Sequence, residues 1–148
     1  MPHLVILYTP QLDAETDMAA LCRSLAETMR SVDDEAGRPV FPTGGVRVLA
    51  YPAAHFAVAD GGAVHRAQGG DGDLAFCYLQ LRMGRGRSPE VHRRAGEALA
   101  AATRDHFAPL LARRPLGLTL QIDEGPEVFD AKLGNLHAMF NPPASPVR

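Results

Sequence analysis

The sequence predicts an α+β fold in which two fused β-α-β units form one four-stranded sheet with two helices on one face. Three observations carry this. Four apolar runs rich in β-branched residues alternate with two stretches of helical periodicity, in the order β-α-β, a glycine-rich link, then β-α-β. The second half repeats the architecture of the first roughly 70 residues later, giving pseudo-repeats 2–52 and 74–124 and a tail 125–148. A chain of 148 residues, 46% apolar and 22% charged, suits a single compact domain, 1–148, able to bury about 70% of its unfolded surface.

Residues 3–9, HLVILYT, are apolar without strict alternation, the pattern of a strand buried on both faces, and Pro10 closes the run. From Asp13 to Val32, the residues Met18, Leu21, Cys22, Leu25, Met29 and Val32 follow helical spacing. They predict one amphipathic helix capped by Asp13, Thr16 or Asp17. The connection from Asp33 to Gly45 is acidic, then rich in proline and glycine. Val46 to Tyr51 forms the second strand and Pro52 ends it. Ala53 to Gly72 reads as loop, because Gly61, Gly62, Gly69, Gly70 and Gly72 are too dense for a regular element.

Leu74 to Met83 is the third strand, followed by the turn GRGRS. Ser88 is a good N-cap, Pro89 suits the first helical position, and the charge of Glu90 complements the helix dipole. Val91, Ala95, Ala98, Leu99, Ala102 and His106 give this second helix its inner face, and Pro109 is expected to kink or end it. Leu116 to Ile122 is the last strand. The tail contains GNLHAMF and ends in PPASPVR, whose last residues are expected to fray.

A right-handed crossover in each unit leaves its two strands parallel and adjacent. Two helices cover one sheet face, and apolar strands cannot leave the other face in water, so oligomerisation is expected to cover it. The net charge of -2 gives no electrostatic pull on nucleic acid. Cys22 and Cys77 lie far apart with no CxxC or His/Cys cluster, which suggests neither a zinc site nor a disulfide. The start MPHLVILYTP shows no basic leader or signal-length apolar run, and no stretch approaches the roughly 20 apolar residues that span a bilayer. A cytoplasmic protein with no membrane partner is expected.

Three residues carry candidate chemistry. Pro2 directly precedes a buried strand, and removal of Met1 would make it a secondary amine, which no other residue type provides. A free α-amino group titrates near pH ~8, and burial lowers that value because desolvation disfavours the cation. Such a nitrogen is neutral near pH ~7 and matched to general-base work. Arg47 opens the strand VRVLAY after Gly44 and Gly45, while Arg87 sits in GRGRS between a strand and a helix N-terminus. Arginine at such positions can grip a carboxylate with two parallel hydrogen bonds, and the helix beginning at Ser88 adds positive potential. Taken singly, each has a bland reading: an N-terminus of no special chemistry and two solvated surface charges.

In combination, MPHLVILYTP, FPTGGVRVLAYP, LRMGRGRSPEVHRRAGEAL and GNLHAMF resemble the 5-carboxymethyl-2-hydroxymuconate Δ-isomerase family of the tautomerase superfamily. The likeness spans Pro2 to Phe140. GRS before a helix and VRV on a strand also recur in 4-oxalocrotonate tautomerase, where one short β-α-β chain carries both. Here the two halves divide them. The resemblance implies the tautomerase fold, a homotrimer, no metal or organic cofactor, and a small-molecule carboxylate substrate met in aromatic-compound degradation. It implies that Pro2 is the catalytic base and then acid. Arg47 and Arg87 match the arginines that bind substrate carboxylates and stabilise a dienolate as charge moves onto oxygen. Strand Leu74 to Met83 begins inside the chain and has no counterpart of Pro2, so one site per protomer is expected.

Two enlarged connections, 33–45 and 53–72, are expected to border the pocket, and His55 and Asp60 on the second are candidate ligand contacts. His3 is read as a core or surface residue pointing away from the base. Asn135 and His137 are read as a lock between protomers, and Arg82 and Arg85 as a cationic rim. The reading is thus an isomerase moving a proton along an unsaturated 2-hydroxy or 2-oxo polycarboxylic acid. A different activity on the same scaffold (phenylpyruvate-type tautomerase, dehalogenase, hydratase or decarboxylase) stays open, as does a non-catalytic ferredoxin-like ligand-binding module.

Overall fold

Residues 2–140 are described in the structure, a computed structural model. Met1, whose removal is expected above, and the segment PPASPVR, expected to fray, lie outside the described residues. Strand β1 (His3–Tyr8) begins at the third residue, and it alternates although its letters do not: Leu4, Ile6 and Tyr8 are buried, while Leu7 is 48% exposed. Burial on both faces is therefore not met within one protomer, because helices cover only one side of the sheet.

The single helix expected from Asp13 to Val32 is broken in two. A one-turn helix α1 (Leu12–Glu15) ends at Thr16, whose backbone is extended, and α2 (Met18–Arg30) starts afresh. The cause is Asp17, whose carboxylate accepts from the Ala20 N–H at 2.8 Å and so caps a new helix where the old one would have continued. After a tight excursion closed by a bridge between Asp33 and Pro39, the chain makes a 3-10 turn at Thr43–Gly45 and enters β2 (Arg47–Pro52). The glycine-rich stretch then holds an unforeseen short helix α3 (Ala63–Ala67). Asp60 fixes its start by accepting from the N–H groups of Gly62, Ala63 and Val64 at 2.8, 3.1 and 2.9 Å.

Strand β3 (Ala75–Met83) leads into α4 (Pro89–Leu111), where the expected cap is present: Ser88 Oγ accepts from the Val91 N–H at 3.2 Å. Pro109 does not end α4. It falls in the last turn on an exposed side, so the one carbonyl that loses its donor, that of Asp105, is open to water. Strand β4 (Leu116–Glu124) and a last helix α5 (Leu136–Phe140) complete the described chain.

The sheet order is β2-β1-β3-β4, with β1 parallel to β2, β3 parallel to β4, and the two units joined antiparallel through β1 and β3. This is the α+β, four-stranded arrangement expected. Leu4, Ile6, Leu79 and Leu81 meet Leu21, Leu25 and Met29 of α2 and Ala95, Leu99 and Phe107 of α4 in one core. The other face carries Leu7, Leu49 and Tyr51, at 48%, 45% and 50% exposure, and a polar ladder in which Gln80 Nε2 donates to Asp123 Oδ2 at 2.6 Å. Cys22 and Cys77 are both free, and burial pushes the Cys77 thiol up to about 12. Among the described residues no helix is long and apolar enough to cross a membrane, and no group of three metal-ligating side chains converges.

Candidate functional site

Parallel pairing within each unit and antiparallel pairing between them bring the starts of β1 and β2 to the same end of the sheet as the ends of β3 and β4. Pro2 stands at that end and is buried. The turn Thr43–Gly45 passes beside it so closely that a Cβ on Gly45 would lie 3.6 Å from Pro2 Cδ. On the far side of the same turn a Cβ on Gly44 would lie 3.0 Å from His137 Cα and 3.2 Å from Phe140 Cδ2. Two adjacent glycines thus let Pro2, the turn and α5 stack without side chains between them.

Arg47 opens β2 directly beside His3, and Arg82 flanks His3 from β3. By strand alternation these three form a row at the margin of the open face, two guanidiniums flanking the imidazole. The His3 imidazole is held below its ordinary value, first by burial and then by the amino terminus, Arg47 and Arg82, with Asp130 opposing them. Arg47 Nη1 donates to the Gly44 carbonyl at 3.0 Å. Arg87 is held the same way, Nη1 donating to the Gly84 carbonyl at 2.9 Å and Nη2 to the Val40 carbonyl at 3.1 Å. Each guanidinium reaches back three residues to a glycine carbonyl. A carbonyl orients the fork without cancelling its charge, and among the described residues neither arginine is ion-paired.

The sequence-derived candidates are not all brought together in one protomer. Arg47 lines a cavity of ≈ 500 Å³ shared with the tail, including Lys132, Leu133, Leu136 and His137. Arg87 lines another of ≈ 490 Å³ between the 34–40 excursion and the start of α4, with Arg85 and Ser88. The connection 33–45 borders both arginines through the Val40 and Gly44 carbonyls. The connection 53–72 does not: it leaves from Pro52, paired with Tyr8 at the opposite end of the sheet, and carries His55 and Asp60 away with it. Asp60 is moreover engaged by three backbone N–H groups, which leaves it a helix cap within its own chain. His137 packs against Gly44 of its own protomer, and Asn135 lies just ahead of α5.

The tail is the part of the site that sequence reasoning missed. One signal was available: Lys132 is the only lysine, the other 14 of the 15 Lys+Arg residues being arginine.

Comparison with known proteins follows the same outline. Residues 2–140 match the 5-carboxymethyl-2-hydroxymuconate isomerase family. A 5-carboxymethyl-2-hydroxymuconate Delta-isomerase from Escherichia coli is 29% identical over 140 residues, covering 95% of this chain and 99% of its own. A crystal structure of a 5-carboxymethyl-2-hydroxymuconate delta-isomerase is 63% identical, covers 95% of this chain and 93% of its own, and superposes with a TM-score of 0.92. The corresponding isomerase from Deinococcus radiodurans R1 is 36% identical, covers 94% of this chain and 93% of its own, and gives a TM-score of 0.75. More distantly, the fold recurs in a fused 4-OT solved as a symmetric trimer, at 19% identity and a TM-score of 0.52 over 96% of this chain and 98% of that one. Matched from Pro2 to the last described residue, the chain belongs to the 5-carboxymethyl-2-hydroxymuconate isomerase family, within the tautomerase superfamily, and is an isomerase.

Proposed function

We propose that the protein transposes a proton along a small unsaturated 2-hydroxy or 2-oxo acid bearing two or more carboxylates, a 5-carboxymethyl-2-hydroxymuconate-like compound of aromatic degradation, in the cytoplasm. With Met1 removed, the secondary amine of Pro2 takes the acidic proton of the substrate and leaves a dienolate. The same nitrogen, now carrying that proton, returns it at the vinylogous carbon. One proton leaves and one returns, so the reaction balances without an electron donor or a transferred group. Arg47 and Arg87 hold substrate carboxylates and the oxygen on which negative charge develops.

The observation that carries this reading is the pair of carbonyl-held guanidiniums, without an ion pair among the described residues, at the sheet end where Pro2 leads into β1. Their charge is available to an anion, and burial of Pro2 disfavours the charged form of the amine that removal of Met1 would expose. Because Arg47 and Arg87 border separate cavities in one protomer, we propose that the site is completed between protomers of a trimer. The exposed Leu7, Leu49 and Tyr51 supply an apolar contact face, and the Arg47–His3–Arg82 row lies at its margin.

Following the ultraviolet loss of a dienol acid with wild type beside Pro2→Ala tests the mechanism. The variant should be slower by 10²-fold or more, on the order of what a positioned acid-base group contributes. Equal rates would remove Pro2 from the chemistry. Intact mass should show the chain beginning at Pro2, and sedimentation should return three times the protomer mass.

A further inference from the structure

After β4 the chain turns back across the end of the sheet that holds Pro2. The Gly125 N–H donates to the Met83 carbonyl at 2.9 Å, and a Cβ on Gly125 would lie 2.9 Å from Arg82 Nε, so the tail starts over the end of β3. Asp130 next comes close enough to His3 for each charge to act on the other, at the start of β1. Residues 131–134 then run beside Arg47 at the start of β2, and α5 seats on Gly44. The tail is a strap laid over three strand ends in succession.

Between strap and sheet lies the ≈ 500 Å³ cavity that Arg47 lines. Leu133 and Leu136 give it apolar walls, and Lys132 and His137 bring further nitrogen to its rim. That mixture suits an anion with a hydrocarbon body. Lys132 is the movable cation of the set: its Nζ donates to Asp130 Oδ2 at 2.6 Å, with the two side chains 53% and 44% exposed. An exposed pair of this kind is held weakly, so an entering carboxylate can take the ammonium at little cost. Arg47, anchored on the Gly44 carbonyl, stays where it is.

We propose that this cavity binds a dicarboxylate lengthwise, one carboxylate on Arg47 and the other on Lys132, with Asp130 occupying the ammonium until the ligand enters. Lys132 is then a specificity-determining residue, selecting acids that carry a second carboxylate over those that carry one. The inference rests on the reading of Arg47 as a carboxylate-binding residue and adds a partner for it. It also gives the apolar strap a task that packing alone does not explain, since Leu133 borders this cavity and is 95% exposed.

Calorimetric titration of the full-length protein with adipate and with hexanoate tests the proposal, since the two probes differ only in the second carboxylate. Lys132→Met should weaken adipate binding about tenfold, the size expected for one charge-assisted hydrogen bond, and leave hexanoate within about twofold. Lys132→Arg should restore the adipate preference. Asp130→Asn, which removes the place-holder, should tighten adipate binding, an effect that general loosening of the strap would not produce. An adipate-to-hexanoate affinity ratio unchanged in Lys132→Met would overturn the proposal. Running Pro2→Ala in the rate assay alongside keeps the two claims apart. A lost preference in Lys132→Met beside an active Pro2→Ala upholds the cavity and refutes the base, whereas an unchanged preference beside an inactive Pro2→Ala does the reverse.

Discussion

The two ends of the sheet use the same residue type in opposite ways. At the end away from Pro2, Arg114 is 10% exposed and sits between carboxylates: it donates to Glu15 Oε1, contacts Asp73 Oδ2 at 3.1 Å, and also donates to the Asp73 carbonyl at 3.1 Å. Arg113 reaches Glu15 Oε2 at 3.7 Å, and Gln11 Nε2 donates to Asp73 Oδ1 at 3.0 Å and to the Leu74 carbonyl at 2.9 Å. The cluster ties α1, the glycine-rich connection and the α4–β4 turn together, and its charges cancel internally. At the Pro2 end Arg47 and Arg87 rest on carbonyls, with no ion pair among the described residues. What separates the structural Arg114 from the two arginines proposed to bind substrate is the partner, an anion that neutralises the charge or a dipole that merely aims it.

The sharpest way to break that comparison is to remove one arginine from each end. Arg47→Ala gives up a single contact to the Gly44 carbonyl, so the thermal midpoint should hardly move while kcat/KM falls on the order of 10²-fold, as for loss of a transition-state donor. Arg114→Ala should do the converse. Breaking a buried ion pair costs about 3–5 kcal/mol. With Asp73 47% exposed and Glu15 22%, solvent screens part of that, and a loss of about 2 kcal/mol in chemical denaturation is expected, with kcat/KM of the folded protein intact. If Arg47→Ala unfolded as early as Arg114→Ala, the carbonyl-held arginine would be structural after all.

The same contrast explains what the sequence made legible. Caps and strands are local, so Ser88 with Pro89 and Glu90 announced the start of α4, and the β-α-β order followed from four apolar runs and two periodic ones. Local competition is harder to weigh: Asp17 could have been decorative or a cap, and only the packed chain decides that it splits α1 from α2. Pro109, expected to kink or end α4, stands two residues before its last residue, where almost no helix remains for a missing donor to disturb. The charge clusters were invisible for a different reason. Arg114 and Glu15 are 99 residues apart, and nothing in the periodicity of either neighbourhood pairs them. The strap was hidden likewise, since Asn135 and His137 of GNLHAMF read as a lock between protomers, whereas the seat of His137, Gly44, lies in the other half of the same chain. Pro2, Arg47 and Arg87 could be singled out from sequence, but their division between two cavities is a property of three-dimensional packing.

The smallest effects sharpen the comparison through two histidines, one near each end. His3 and His106 both sit below the ordinary value of 6.5, so as pH falls through 6.5 the unfolded chain takes up protons first. Their contribution to stability is therefore complete above pH 6.5 and is lost as pH falls through the folded values, and the thermal midpoint should decline on acidification. The causes differ. Burial leads for both, but His106, with Nε2 2.9 Å from Thr16 Oγ1, feels only the opposing charge of Asp17 beyond it. His3 feels Arg47 and Arg82, which outweigh Asp130. Added salt screens charge and leaves burial untouched. Imidazole titration by NMR should then show the His3 value climbing toward 6.5 as salt is raised, while His106 stays put or drifts down. If His3 ignored salt as His106 does, the positive field assigned to the Pro2 end would be too weak to draw a polycarboxylate.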